Sequence, residues 1–177
     1  MEIDDTIQML AKIRQSIDKW APRETTRPDA LIGDLNDLYV ASSKNRSMDE
    51  LFEYDDVGSP SITLIVPIDV EFDLQRVIKN LRTKLHIRRP GRTDEIGNAG
   101  VIWSYGRYDF VYDGNSGSLR ISHKYSHRCV DTKSVSSIAK QMIDHAINYL
   151  EEVKAAAKKR ADGRATDDIR LPRKSEA

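Results

Sequence analysis

Two turn signals, Gly106-Arg107 and the four residues GNSG at 114–117, divide residues 101–124 into three short β-prone runs, VIWSY, YDFVYD and SLRISHK. A two-residue link with glycine first favours a tight hairpin, which sets Tyr105 opposite Tyr108 and Trp103 opposite Phe110. The four-residue link then sets Tyr112 opposite Leu119 and Phe110 opposite Ile121. Directly opposed residues share a face. One face therefore collects the rows Val101–Tyr112–Leu119, Trp103–Phe110–Ile121 and Tyr105–Tyr108–His123. The other collects Ile102, Ser104, Asp109, Val111, Arg120, Ser122 and Lys124. A slip of one residue at the second turn would put Phe110 beside Arg120 and scatter the apolar set. The aromatics are thus expected on a core face and not on a solvent-facing platform for stacking bases.

The rest of the chain supplies elements to cover that face. Ile3, Ile7, Leu10, Ile13 and Ile17 form one stripe at helical spacing, ending near Trp20 and stopped by Pro22. Beyond the link APRETTRPD, Leu31, Ile32, Leu35, Leu38 and Tyr39 form a second stripe, with Pro28 and Asp29 at its start. Ser47 and Glu50 have capping-box spacing, which predicts a short helix through Leu51 and Phe52. SITLIVPI at 61–68 reads as a strand covered on both faces. A helix follows, capped by Asp69 or Asp73, with Leu74, Ile78, Leu81 and Leu85 as its buried stripe. Residues 84–100 read as one long loop. The last helix is expected from a Thr132 or Ser134 cap to about Arg160. Its stripe of Val135, Ile138, Ala139, Met142, Ala146, Tyr149, Leu150 and Val153 makes it the lid for the aromatic face.

These elements predict an α+β fold. An N-terminal helical hairpin precedes β-α-β-β-β-α, and a small four-stranded sheet, mixed or antiparallel, lies under the long C-terminal helix. Residues 1–44 are expected as a docking or oligomerisation arm, 45–160 as the core domain, and 161–177 as a disordered tail.

Charge narrows the partners. The formal net charge is zero, but residues 1–73 hold 16 acidic and 7 basic side chains, leaving 12 acidic and 21 basic for residues 74–177. An acidic N-terminal part docked on a basic body, in the same chain or a neighbouring one, accounts for this pattern without any external polyanion. No run approaches the roughly 18 apolar residues of a membrane span, and the acidic start MEIDD is unlike a signal peptide. The expectation is a cytoplasmic protein with no membrane contact. Cys129 is the only cysteine, which excludes an internal disulfide and a multi-cysteine zinc site.

Three groups of residues carry candidate chemistry. Arg82, Lys84, Arg88, Arg89 and Arg92, with Pro90 and Gly91, form a basic segment suited to nucleic-acid or polyanion contact. It is equally suited to docking on the acidic half. Tyr105, Tyr108 and His123, with Arg107 and Arg128 near by, hold the groups for acid–base work on a phosphodiester. They also make an ordinary core rim, with tyrosine hydroxyls and a histidine at the water boundary. His123 and His127 are ligand types with Cys129, but side chains four apart on an extended strand lie about 13 Å from each other. No metal or cofactor is expected.

The run YDFVYDGNSGSLRISHKYSHR, residues 108–128, resembles the closing hairpin of ribosome-dependent RNase toxins, which use such residues on a small sheet. Upstream the chain departs from them. Those toxins place a helical pair directly after the first strand, where this sequence has one helix and a long loop.

Phosphate-loop, dinucleotide, nucleophile-elbow and zinc-protease motifs are absent from the sequence. The chain is therefore read as a non-enzymatic binding or adaptor protein acting through protein contacts, with nucleic acid as a further ligand of residues 82–92. One alternative is a small RNase or toxin-like enzyme using Tyr105, Tyr108, His123 and Arg128. The other is an oligomeric structural component assembled through residues 1–44.

Overall fold

A computed structural model of the chain describes residues 2–25, 27–43, 50–55, 60–68, 70, 72–74, 76–77, 79–80, 94–96, 100–105, 107–113, 116–124 and 132–176. The fold is α+β. Helices α1 (Ile3–Lys19) and α2 (Pro28–Ser42) precede β1 (Phe52–Asp55) and β2 (Ser61–Pro67). The described residues between 74 and 80 are helical, here α3. The chain then forms β3 (Asp94–Ile96), β4 (Gly100–Tyr105), β5 (Tyr108–Asp113), β6 (Ser118–Lys124) and α4 (Thr132–Glu176). The strands make one antiparallel sheet in the order β1-β2-β6-β5-β4-β3.

The meander has the register that its turns dictate. Tyr105 pairs with Tyr108, Trp103 with Phe110 and Val101 with Tyr112. Tyr112 pairs in turn with Leu119, Phe110 with Ile121 and Tyr108 with His123. At the second turn Gly117 has φ +65°, a conformation that favours glycine. β2 closes on the far side of β6, setting Ile62 opposite His123, Leu64 opposite Ile121 and Val66 opposite Leu119.

Four strands were expected, and two short ones extend the sheet at its edges. The helix expected through Leu51 and Phe52 is a correction: Phe52 opens β1 and pairs with Leu64. The cause is tertiary. Asn36 of α2 accepts hydrogen bonds from the Leu51 and Phe52 amides at Oδ1 and donates from Nδ2 to the Phe52 carbonyl, all at 2.9 Å. A carboxamide bonding in this way stands in for the neighbouring strand that an edge lacks. At the other edge, β3 lies within the segment expected as a loop and pairs with β4 through Asp94–Ile102, Glu95–Val101 and Ile96–Gly100.

Two further expectations are adjusted. β2 is covered on one face only, its residues alternating between half-buried and buried. Ile62, Leu64 and Val66 point inward, whereas Ser61, Thr63 and Ile65 lie on the open face. Helix α4 does not stop near Arg160, because its backbone is helical to Glu176. Propagating an existing helix costs far less than nucleating one, so a long helix extends readily into a polar segment. In α3, Val77 is fully buried and Leu74 only partly. Asp73 caps it, accepting from the Arg76 amide at 3.3 Å.

One continuous core joins α1, α2, α4 and the inner face of the sheet. Leu10, Ile13 and Ile17 of α1, and Leu31, Leu35 and Tyr39 of α2, are at most 1% exposed, so these faces of α1 and α2 pack within their own chain. Three ion pairs tie α1 to α4. Asp4 meets Lys154 at 2.7 Å, Arg14 meets Asp144 at 2.6 Å, and Asp18 meets Lys140 at 3.0 Å. Each step forward on α1 matches an equal step back on α4, which is antiparallel packing in constant register. No helix among the described residues is long and apolar enough to cross a membrane.

Candidate functional site

The candidate residues divide sharply once placed on the fold. Arg82, Lys84, Arg88, Arg89 and Arg92 lie outside the described residues, as do Arg128, His127 and Cys129. Tyr105 is described through its backbone, opposite Tyr108 at the first turn. Tyr108 and His123 are directly opposed on β5 and β6, so the sheet brings together the two candidates whose side chains it describes.

Inward alternation along β5 presents Tyr108, Phe110 and Tyr112 in sequence, at 7%, 3% and 8% exposure. Helix α4 crosses above them. Its apolar stripe of Val135, Ile138, Ala139, Met142, Ala146, Leu150 and Val153 is buried as expected, but a second stripe runs beside it: Gln141, His145 and Tyr149 at four-residue spacing, then Glu152. Residues so spaced share one side of a helix. His145 places its ring 4.9 Å from that of Tyr108 and 5.7 Å from that of Phe110, the latter edge-on. Tyr149 stands 6.4 Å from Tyr112, and Phe72 contacts both. The pairs are tilted or edge-on, and edge-to-face contact is one of the arrangements aromatic rings prefer.

At the first-turn end of this seam, Tyr108 lies between two imidazoles. The His123 ring is 5.3 Å away on the neighbouring strand, and His145 approaches from the helix. The Tyr108 hydroxyl donates to Gln141 Oε1 at 2.5 Å, and Gln141 donates from Nε2 to Ser137 Oγ at 3.4 Å. Gln141 and Ser137 are exposed and His145 is half-buried, whereas Tyr108 and His123 are buried. The group therefore spans from the core to its rim.

Burial, and then the charge of Arg107, hold the His123 imidazole below its ordinary pKa, against the effect of a backbone hydrogen bond. Burial does the same to His145, opposed by the Asp144 carboxylate. Both rings are thus kept neutral at pH 7. At the other end of the seam, burial pushes the Tyr149 hydroxyl well above its ordinary range and Tyr112 upward too. Glu152, 5% exposed, accepts a hydrogen bond from Asn80 of α3 at 3.2 Å.

The arrangement places one titratable group, the half-buried His145, at the rim. It does not present His123 or the face of Tyr108 to a substrate. His145 and Gln141 escaped the sequence reading. Their signal is a polar row four residues apart beside the apolar stripe of a helix expected to lie over tyrosines. No group of three or more His, Cys, Asp or Glu among the described residues is arranged to hold a metal ion.

The outward face of the sheet carries Glu53, Thr63, Ile65, Asp109, Val111, Arg120, Ser122 and Lys124. Thr63 and Ser122 share a hydrogen bond of 2.8 Å, Arg120 lies 3.7 Å from Glu53, and Lys124 lies 3.9 Å from Asp109. The inward positions of β5 hold its aromatics, which leaves this face without the side chains of a base-stacking platform among the described residues. Comparison with known proteins finds no matching family model, no matching curated protein and no matching solved structure.

Proposed function

We propose that the protein is a non-enzymatic binding or adaptor protein of the cytoplasm, acting through protein contacts, with nucleic acid as a further ligand of residues 82–92. The observation that carries this reading is the enclosure of Tyr108 and His123. A general acid or base must come within hydrogen-bond reach of the proton that it moves. Here the Tyr108 ring is covered by His123 and His145, and its hydroxyl is engaged by Gln141. The group does the work of packing, as the rim of an aromatic core does.

Two other features support a binding role. The apolar stripes of α1 and α2 are used inside the chain, which favours a binding role over assembly through residues 1–44. The open face of the sheet carries a hydroxyl pair and two ion pairs beside Ile65 and Val111, a mixed surface suited to protein contacts.

The nucleic-acid part of the proposal is tested by titrating labelled single- and double-stranded oligonucleotides at several salt concentrations. Binding should weaken with salt, and replacing Arg88, Arg89 and Arg92 together by glutamine should flatten the log–log slope by about 0.7–0.9 for each phosphate that is no longer neutralised. His123→Ala should leave the slope unchanged. A slope indifferent to the triple substitution removes residues 82–92 from the proposal.

A further inference from the structure

We infer that Tyr108, His123 and His145 form an acid-operated latch between the sheet and α4. A single ring on β5 is clasped from two directions, by an imidazole of the neighbouring strand at 5.3 Å and by one of the covering helix at 4.9 Å. The same side chain hydrogen-bonds Gln141, one turn before His145 on α4. Tyr108 thus carries ring contacts and a polar link between the sheet and α4, beside the contact of His145 with Phe110. Its neighbours are groups whose charge changes near neutral pH.

Neutral imidazoles fit this place because they pack on Tyr108 and Phe110 as aromatic rings, tilted or edge-on. A protonated ring would bring a full charge into the same space. The ring faces of Tyr108 and Phe110 attract a cation, but more weakly than desolvation opposes one. Among the described residues the surrounding charges do not reverse that balance. In the turn before β5, Arg107 opposes charging of His123. On β6, Lys124 follows it and carries the same sign, and β2 places the apolar Ile62 directly opposite. On β4, Tyr105 occupies the matching register position. On α4, Asp144 favours charging of His145, yet its two oxygens are engaged by Arg14 of α1 at 2.6 and 3.2 Å. Lys140, also on α4, is paired with Asp18.

The direction with pH follows. Both histidines titrate below the ordinary value of 6.5 in the folded protein, so the opened chain takes up protons first. The latch is fully closed above pH 6.5 and loosens as pH falls from there toward the lower folded values. The half-buried His145 is the point of entry. Because α1 grips α4 on its other side, the expected response is local opening between α4 and the end of β5 and β6, and not general unfolding.

Hydrogen exchange of the full chain at about pH 7.5 and about pH 5.5, corrected for intrinsic rates, tests the latch. Peptides from residues 108–124 and 132–150 should lose at least about tenfold in protection at the lower pH, while those from α2 and β1 change by less than about threefold. His145→Phe keeps a ring against Tyr108 and Phe110 but cannot take a proton, and should cut the acid response at least about threefold. His123→Gln provides a second, independent reduction. Equal loss of protection in all elements, or an acid response unchanged in either folded variant, overturns the latch. The regional pattern in the unaltered protein decides the matter if neither variant folds.

Discussion

Asn36 grips Phe52 with both ends of its carboxamide, donating from Nδ2 to the Phe52 carbonyl and accepting the Phe52 amide at Oδ1, each at 2.9 Å. A side chain on α2 thereby fixes the edge of the sheet, and Leu51 and Phe52 are fully buried beneath it. Asn36→Leu removes the partners of two buried amides and one carbonyl. At about 1–3 kcal/mol for a buried group left unsatisfied, the loss should be about 2–4 kcal/mol by denaturant titration. Asn36→Asp keeps the acceptor and should lose less. Equal stability of Asn36→Leu and the unaltered protein would show that β1 does not depend on this grip.

The alternation of β5 makes a second prediction. Phe110 is 3% exposed under α4, whereas Asp109 faces outward, 3.9 Å from Lys124. Phe110→Ala should cost about 3–5 kcal/mol, and Asp109→Ala no more than about 1 kcal/mol. Comparable losses would mean that the strand presents the wrong face to the core.

Antiparallel docking of α1 on α4 separates packing from charge. Ile13→Ala, at a fully buried position, should cost about 2–5 kcal/mol. Arg14→Ala, which removes a half-exposed ion pair with Asp144, should cost about 1 kcal/mol or less. Deleting residues 1–44 removes Leu10, Ile13, Ile17, Leu31, Leu35 and Tyr39 from the core that they share with α4 and the sheet, so the remainder should aggregate in light scattering. A truncated protein that stays monodisperse and equally stable would mean that α1 and α2 do not complete the core.

Gly117 offers a backbone test. Its φ is +65°, and a Cβ added there would stand 3.1 Å from the Ile68 carbonyl oxygen. Gly117→Ala should therefore cost about 1–2 kcal/mol, the usual penalty for an L-residue held in the left-handed region. An alanine variant as stable as the unaltered protein would show that the turn relaxes at no cost.

The parts of the fold legible in the sequence are those set by local chemistry. Gly106-Arg107 and GNSG fix every pair of the meander, and helical periodicity places Leu10, Ile13, Leu35, Met142 and Leu150 in the core. The parts that escaped are decided by residues far apart in the chain. FEYD at 52–55 has too few residues for a strand signal, and what makes it a strand is Asn36 on one side and Leu64 on the other. DEI at 94–96 is shorter still. Tyr108 and His123 were legible as a pair because turn length alone opposes them. His145 was not, because its part depends on the angle at which α4 crosses β5.

The most direct test of the account is an RNA cleavage assay on purified protein, run with and without ribosomes and paired with His123→Ala and Tyr108→Phe. Tyr108 and His123 are buried with their rings packed on each other, so no cleavage should exceed that of a buffer control in either condition. The substitutions should alter stability alone. Cleavage by the unaltered protein that falls about 10²-fold or more in a folded His123→Ala or Tyr108→Phe variant would contradict the account and make the seam an active site.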